Sequence, residues 1–278
     1  MQRYLTFKTS ILSRLFGCFA STAFPPFFQT LINKTYTKLM NVDLNDFHAL
    51  ESYPTLNALF TRKLLKERVF DISETTFISP CDSFISASGN IAHDRALQIK
   101  GHAYTVSTLL SDYCSYAHKK RVESGVFINF YLSPKDYHRY HVPIDMRIAK
   151  AVHIPGKLYP VNMTWLRKVN GLFCENERVV LECYTKENAL FYMIFVGALN
   201  VGKMRFSFDD AIQTNAKASL QQCYMYENLF VKKGEELGRF EMGSTIVMLF
   251  EKESFSLLAH DNEPIRFGAT LGELRQEC

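Results

Sequence analysis

Short apolar runs rich in β-branched and aromatic residues follow one another from Val69 onward, and turn residues separate them. They predict strands at 76–78, 84–85, 126–132, 179–183, 191–196 and 246–250. A helix is predicted between Thr105 and Ser115. No regular alternation of strand and helix supports a doubly wound parallel sheet. The pattern therefore predicts an α+β fold with a β-rich domain.

The first forty residues have a different pattern. Apolar residues recur at helical spacing between positions 11 and 19, while Lys8 and Arg14 fall elsewhere, so an amphipathic helix is predicted that Pro25 and Pro26 would end. Residues 15–33 carry no charge, but the paired prolines and polar residues among them make a poor membrane-spanning helix. A helix that lies at the membrane surface is the expectation.

Two other interpretations of this segment stay open. An export signal would need a cleaner apolar core than one interrupted by Arg14, and the helix could instead pack on its own protein. A further helical pattern follows between residues 54 and 64. We therefore expect a helical, membrane-surface region at residues 1–65 and a β-rich catalytic domain at residues 66–278.

Composition narrows the class of protein. Of the 278 residues 47% are hydrophobic, enough for a substantial core, and the net charge of +4 is too mild for a dedicated nucleic-acid-binding protein but suits an anionic membrane surface. The seven cysteines include no CxxC pair and no Cys/His spacing typical of zinc, so reduced, mostly buried thiols on the cytosolic side are predicted. No phosphate-binding glycine loop is present.

The triplet Gly243-Ser244-Thr245 stands directly before the apolar run at 246–250. Gly243 allows backbone conformations that residues with a Cβ resist, and the Ser244 hydroxyl lies next to the preceding peptide carbonyl. Attack of that hydroxyl on the carbonyl would give an ester, and elimination followed by hydrolysis would leave a pyruvoyl group. Such triplets also occur in ordinary turns, so this one needs support from elsewhere in the chain.

Two histidines, His138 and His141, follow a predicted buried strand and the strand-breaking pair at 133–134. Histidine titrates near neutrality, so two of them suit a reaction with several proton transfers. The same spacing could bind a metal, although no third ligand is evident nearby, and either residue could be a core histidine. Asp82 lies in a predicted loop, where aspartate is commonly a turn former.

With Ser-Pro-Cys-Asp at 79–82, Asp-Tyr-His-Arg-Tyr-His-Val-Pro at 136–143 and the triplet at 243–245, the sequence resembles the phosphatidylserine decarboxylase family from about Pro54 to the C-terminus. The Leu-Phe-Thr-Arg segment that ends at Arg62 also looks like a family motif. Arg62 is either a ligand for a phosphate or carboxylate, or a plain surface arginine. Two positions depart from the family pattern, Ser83 in place of the usual glycine and Met242 in place of a frequent leucine.

The resemblance implies roles for the four candidate residues. Asp82, His141 and Ser244 would form a protease-like triad for self-cleavage, and His138 would serve the decarboxylation step. The chain would be cut between Gly243 and Ser244, giving a large β chain of residues 1–243 and a small α chain of residues 244–278.

The implied activity is conversion of phosphatidylserine to phosphatidylethanolamine and CO₂ in phospholipid biosynthesis. A pyruvoyl group made from Ser244 would form a Schiff base with the substrate amine and act as the electron sink, with no metal required. The implied partners are phosphatidylserine, an anionic membrane surface and the two chains of one precursor, with a homodimer left open and no nucleic acid. The implied location is the cytoplasmic face of the cell membrane, as a peripheral protein.

Two alternatives stay open. One is a membrane-associated homologue that does not process and has no activity. The other is a serine hydrolase that uses Ser244 on an external ester, which is disfavoured because no G-x-S-x-G motif surrounds the serine.

Overall fold

A computed structural model describes residues 15–99, 102–199, 203–214, 220–241 and 244–275. The predicted cleavage residue Gly243, its neighbour Met242 and the start of the predicted N-terminal helix lie outside the described residues. Ser244, His138, His141 and Asp82 all lie within them.

Strands make up most of the regular structure in the described ranges. They are β1 (Thr76–Ile78), β2 (Ser83–Asn90), β3 (Arg95–Ile99), β4 (His102–Thr105), β5 (Val126–Leu132), β6 (Arg139–His141), β7 (Met146–Ile154), β8 (Arg178–Thr185), β9 (Leu190–Gly197), β10 (Lys203–Phe206), β11 (Gln222–Val231), β12 (Glu236–Glu241), β13 (Ser244–Phe250), β14 (Phe255–Leu257), β15 (Pro264–Ile265) and β16 (Thr270–Leu274). The helices are α1 (residues 15–21), α2 (Pro26–Met40), α3 (Leu56–Phe60), α4 (Val106–Leu110), α5 (Tyr116–Val122), α6 (Met163–Leu166) and α7 (Leu172–Glu175), with a 3₁₀ turn at Leu50–Ser52. All six predicted strands are confirmed, and the β-rich α+β class with them.

A large antiparallel sheet of described strands is the centre of the fold, in the order β11-β7-β8-β9-β13-β5-β2-β15. Strand β13 lies in its middle, between β9 and β5. Every residue of β13 is buried, and its alternate side chains enter different apolar clusters: Ile246 and Met248 enter one, Val247 and Leu249 the other. The sheet is therefore covered on both faces, which explains why its central strands read as continuous apolar runs.

A smaller sheet, β10-β12-β6, carries the second motif histidine. Strand β6 ends at His141, which pairs with Glu236 of β12. Two residues outside the described ranges connect the end of β12 to the start of β13, so this small sheet and the central strand share one end of the fold. That end carries the candidate residues.

The predicted helix between Thr105 and Ser115 forms only in part, as α4. Thr105 caps it by accepting from the Thr108 N–H, and it ends at Leu110 because Ser111 adopts a φ of 70°, a conformation that a right-handed helix does not continue through. Ser115 then caps α5.

The N-terminal region contains a helix that the sequence pattern did not predict. Helix α1 ends at residue 21 as expected, but the paired prolines also begin α2, where Pro26 is the first helical residue and needs no N–H partner. The side chains that α2 buries are polar: Gln29 donates to Asn33, and Asn33 donates to the Tyr53 carbonyl (2.8 and 3.0 Å). No described helix is long and apolar enough to cross a bilayer.

Helix α2 leaves large apolar side chains exposed on its other faces. They are Phe27, Phe28, Leu31, Leu39 and Met40. Exposed apolar patches of this kind mark surfaces that bind a partner, a ligand or a membrane.

Candidate functional site

Ser244 is the first residue of β13 and is held from both sides. It pairs with Leu132 at the end of β5 and with Gly197 at the end of β9. The side chain is fully buried, and neither its Oγ nor that of Thr245 has a hydrogen-bond partner among the described residues. Buried hydroxyls are normally paired, so two adjacent ones without partners mark a site that is not optimised for stability alone.

The chain beside Gly197 is fixed by Asn176, which is completely buried. Its side-chain amide donates to the carbonyls of Gly197 and Tyr159 (2.8 and 2.9 Å), and its Oδ1 accepts from the Tyr159 N–H (3.0 Å). Since Gly197 pairs with Ser244, Asn176 sets the strand end against which the serine lies.

His138 is reached through a turn that starts where β5 ends, at Leu132, opposite Ser244. Its Nδ1 lies 2.8 Å from the Asp136 carbonyl, and its ring centroid lies 4.0 Å from that of Phe60. A contact to a carbonyl requires Nδ1 to carry the proton, so Nε2 holds the lone pair. That atom is buried and has no partner among the described residues.

Burial keeps His138 neutral. It lowers the pKa of the imidazole to about 3, and the charge of Arg62 contributes in the same direction. The result is an uncharged ring nitrogen, without a partner in the described part of the chain, at the same end of the sheet as the Ser244 hydroxyl. Such a group can accept a proton or return one.

Both ring nitrogens of His141 make hydrogen bonds to described residues. Its Nδ1 donates to the Gly234 carbonyl (2.9 Å), and its Nε2 accepts from the Tyr137 hydroxyl (3.0 Å). Its ring stacks on that of Phe267 with the centroids 3.7 Å apart. Burial lowers the pKa of His141 to about 4 and raises that of Tyr137, so the tyrosine keeps the proton that it donates.

The glycine at 234 is required by the turn that presents this carbonyl. Its φ is 84°, and a Cβ there would lie 2.2 Å from the Phe70 ring. A larger residue would move the acceptor away from His141.

Asp82 is held by other groups. Both carboxylate oxygens accept from the Arg68 guanidinium, one of them at 3.0 Å, and the Phe267 N–H donates to Oδ1 (2.8 Å). The aspartate loop does reach the His141 strand, because the His141 N–H donates to the Pro80 carbonyl (2.8 Å). Phe267 contacts Asp82 with its backbone and His141 with its ring.

The structure thus brings the four predicted residues to one end of the fold and gives them different partners from those of a closed triad. Among the described residues, the side-chain hydrogen bonds of Asp82 go to Arg68 and Phe267, and those of His141 go to Tyr137 and Gly234. The triad roles stay a prediction.

Sequence reasoning gave no role to two residues that hold this arrangement, Arg68 and Tyr137, and it left Arg62 open between an anion ligand and a surface arginine. Arg62 is not a surface residue, because only 2% of it is exposed, and it donates to backbone carbonyls of the His138 turn. Tyr137 lies inside the histidine motif but was given no role. No spacing rule could identify Arg68, whose partner Asp82 lies 14 residues further along the chain.

An apolar groove of about 600 Å³ lies next to the His138 turn. Its walls come from the N-terminal helices, from Pro134 and from Leu199, and they consist of Phe16, Leu31, Ile32, Thr35, Tyr36, Leu39, Met40, Leu56, Phe60, Pro134 and Leu199. Phe60 forms part of this wall and also contacts the His138 ring. The Phe60 side chain therefore lies between this groove and the His138 ring.

Comparison with known proteins identifies the family. A family model described as phosphatidylserine decarboxylase matches residues 56–273. Proteins named phosphatidylserine decarboxylase proenzyme from Helicobacter pylori and Campylobacter jejuni are each 47% identical to this chain over 266 residues, covering 95% and 94% of it and 97% of each relative. One from Nitrosospira multiformis is 36% identical over 250 residues, covering 87% of this chain and 85% of the relative. The chain therefore belongs to the phosphatidylserine decarboxylase family, a family of carboxy-lyases.

Proposed function

We propose that this chain converts phosphatidylserine to phosphatidylethanolamine and CO₂ with a pyruvoyl group that it makes from its own Ser244. The observation that carries the proposal is the Ser244 hydroxyl at the head of the central strand, which is buried and has no hydrogen-bond partner among the described residues. The word proenzyme in the names of the relatives supports a step in which the chain is processed.

Processing starts with attack of the Ser244 Oγ on the carbonyl of Gly243. The peptide C–N bond breaks, a C–O ester bond forms, and the proton of the hydroxyl ends on the freed amine. Loss of the Ser244 α-proton then expels the Gly243 carboxylate and leaves dehydroalanine, which water converts to a pyruvoyl group and ammonia. Ser244 fits this chemistry because, within the described residues, its hydroxyl makes no hydrogen bond that would have to break before the attack.

His141 is the proposed proton acceptor in the first step. The ring is neutral at pH 7, so Nε2 carries a lone pair, and because the pKa of about 4 makes the imidazolium a strong acid, the proton would pass on at once to the freed amine. The Tyr137 hydroxyl occupies that lone pair, and its rotation about the side chain would release Nε2. The charge of Glu236 favours the protonated imidazole, and Asp82, fixed by Arg68 on the neighbouring loop, keeps its proposed role as the third member of the triad.

The pyruvoyl ketone would supply a carbonyl that condenses with a primary amine and withdraws electrons from the bond to the carboxylate. His138 would move the proton at the substrate α-carbon, since its Nε2 is neutral and unpaired among the described residues. The Phe60 ring packs against the His138 ring, and this nitrogen is buried.

The apolar groove is the proposed site for the acyl chains of the lipid. Phe60 places one end of the groove against His138, and the exposed side of α2 opens at the other. An apolar groove whose wall contacts the His138 ring suits the acyl chains of a lipid whose headgroup must reach that site. We further propose that α2 rests in an anionic membrane surface on the cytoplasmic side, which makes this a peripheral protein.

Release of labelled CO₂ from carboxyl-labelled phosphatidylserine in vesicles tests the activity. We expect release by the wild-type protein, none by Ser244→Ala, and inhibition of the wild type by hydroxylamine, which reacts with a ketone. Release by Ser244→Ala would refute the proposal. An intact chain that is labelled at Ser244 by a fluorophosphonate would instead favour a serine hydrolase.

A further inference from the structure

Arg62 is a buried cation whose hydrogen bonds within the described residues go to backbone carbonyls rather than to a carboxylate. Its Nη2 donates to the carbonyls of Lys135 and Asp136 (2.7 and 3.2 Å), and its guanidinium lies over the Phe47 ring, 4.5 Å from the centroid. Its Nε is buried and has no hydrogen-bond partner among the described residues. Burying a charge with incomplete pairing costs free energy, so stability alone does not account for this residue.

The carbonyls that Arg62 holds belong to the turn that carries His138. The Asp136 carbonyl accepts from Arg62 and, at 2.8 Å, from the Nδ1 of His138. One backbone oxygen therefore links the guanidinium to the imidazole. A shift of this carbonyl would remove the acceptor that keeps the proton on Nδ1 and the lone pair on Nε2.

We propose that Arg62 is a positioning residue that fixes the orientation and the Nδ1–H tautomer of His138. The proposal rests on the proposed function, in which the Nε2 of His138 moves the proton at the substrate α-carbon. Arg62 acts through the Asp136 carbonyl and touches neither the substrate nor the reacting atoms.

The choice of arginine follows from the geometry. The planar guanidinium donates to two carbonyls while its face packs on Phe47, which a single ammonium group cannot do in the same place. The positive charge also lowers the pKa of His138, in addition to burial, and so disfavours the doubly protonated ring. The Asp136 carboxylate accepts from the Ser133 N–H, and Lys135 is the other charged residue of the turn.

The first test reads the tautomer and needs no activity. Ser244→Ala protein labelled with ¹⁵N-histidine is examined by NMR, and His138→Gln in the same background assigns the two ring signals among the eight histidines. We expect the Nδ1–H form of His138 in the parent and a mixture of tautomers in Arg62→Ala. An unchanged tautomer in a folded Arg62→Ala protein would overturn the proposal.

The second test measures turnover in processed protein. Arg62→Lys should lower kcat about 10- to 100-fold with little change in KM, because it misplaces a proton-transfer group without altering the lipid groove. The matched control is Arg167→Lys, the same substitution at an exposed arginine, which should leave kcat unchanged. Added guanidinium should partly restore turnover of Arg62→Ala.

The two tests separate the proposals. If the wild type releases no CO₂ but Arg62→Ala changes the tautomer, the proposed function fails and the role of Arg62 stands. If Arg62→Ala does not fold, Arg62→Lys is examined by both methods, and a kcat equal to that of the wild type with an unchanged tautomer would refute the role.

Discussion

The lowered pKa values of the two motif histidines, His138 and His141, predict a steep loss of stability between pH 7 and pH 5. Burial lowers the pKa of His138 to about 3 and that of His141 to about 4, whereas each has an ordinary pKa of about 6.5 in the unfolded chain. Below pH 6.5 the unfolded state therefore binds protons that the folded state does not. The stability contributed by the neutral rings is present above pH 6.5 and is lost as the pH falls towards 4 and then 3.

The magnitude follows from the same values. At pH 5, protonation favours the unfolded state by about 2 kcal/mol for each histidine, or about 4 kcal/mol for both. Domains of this kind have a total stability of about 5–15 kcal/mol, so the effect is a large fraction of it. It requires no titration of carboxylates, most of which titrate at lower pH.

The assay is urea unfolding of Ser244→Ala protein at pH 7, 6 and 5, because a single chain avoids dissociation of cleaved fragments. His138→Gln and His141→Gln should each lose about 2 kcal/mol less than the parent between pH 7 and pH 5. His260→Gln, at an exposed histidine, is the matched control and should lose as much as the parent. A double variant that loses as much stability as the parent would refute the reasoning.

Three further predictions concern the surrounding structure. Asn176→Ala should lower the free energy of unfolding by about 3 kcal/mol in urea and slow processing, because it leaves buried backbone groups unpaired beside Ser244; unchanged stability would contradict the role of this amide. Leu39→Glu should weaken binding to anionic vesicles in a flotation assay without a change in Tm, whereas Ile72→Glu, at an equally exposed residue elsewhere, should not; equal binding of both would contradict the membrane surface. Gly238→Ala should reduce processing and Tm together, because its Cβ would lie 2.0 Å from the Arg205 carbonyl in the sheet that holds His141; normal processing would contradict that link.

Much of the sheet could be predicted from the sequence. Strands β5, β9 and β13 are covered on both faces, so nearly every residue in them is apolar and the runs stand out. Strand β11 lies at the sheet edge with most residues exposed or half-buried, and it gave no such signal. Helix α2 was missed because its fully buried side chains are amides while most of its large apolar residues are exposed, the reverse of the usual pattern.

The residues of the candidate site also fall into those that the sequence could reveal and those that it could not. His138, His141, Asp82 and Ser244 were found because they belong to short motifs, and motifs are local in sequence. Their partners are not local. Arg68 lies 14 residues before Asp82, and Gly234 lies 93 residues after His141, so only the fold could reveal these contacts.

The mass of the denatured, purified wild-type protein tests the central claim most directly. Self-processing predicts two chains, a large one ending at Gly243 and a small one of residues 244–278 whose first residue is a pyruvoyl group, and it predicts one intact chain for Ser244→Ala. A wild-type protein with a single chain of 32.1 kDa that nevertheless decarboxylates phosphatidylserine would contradict the account.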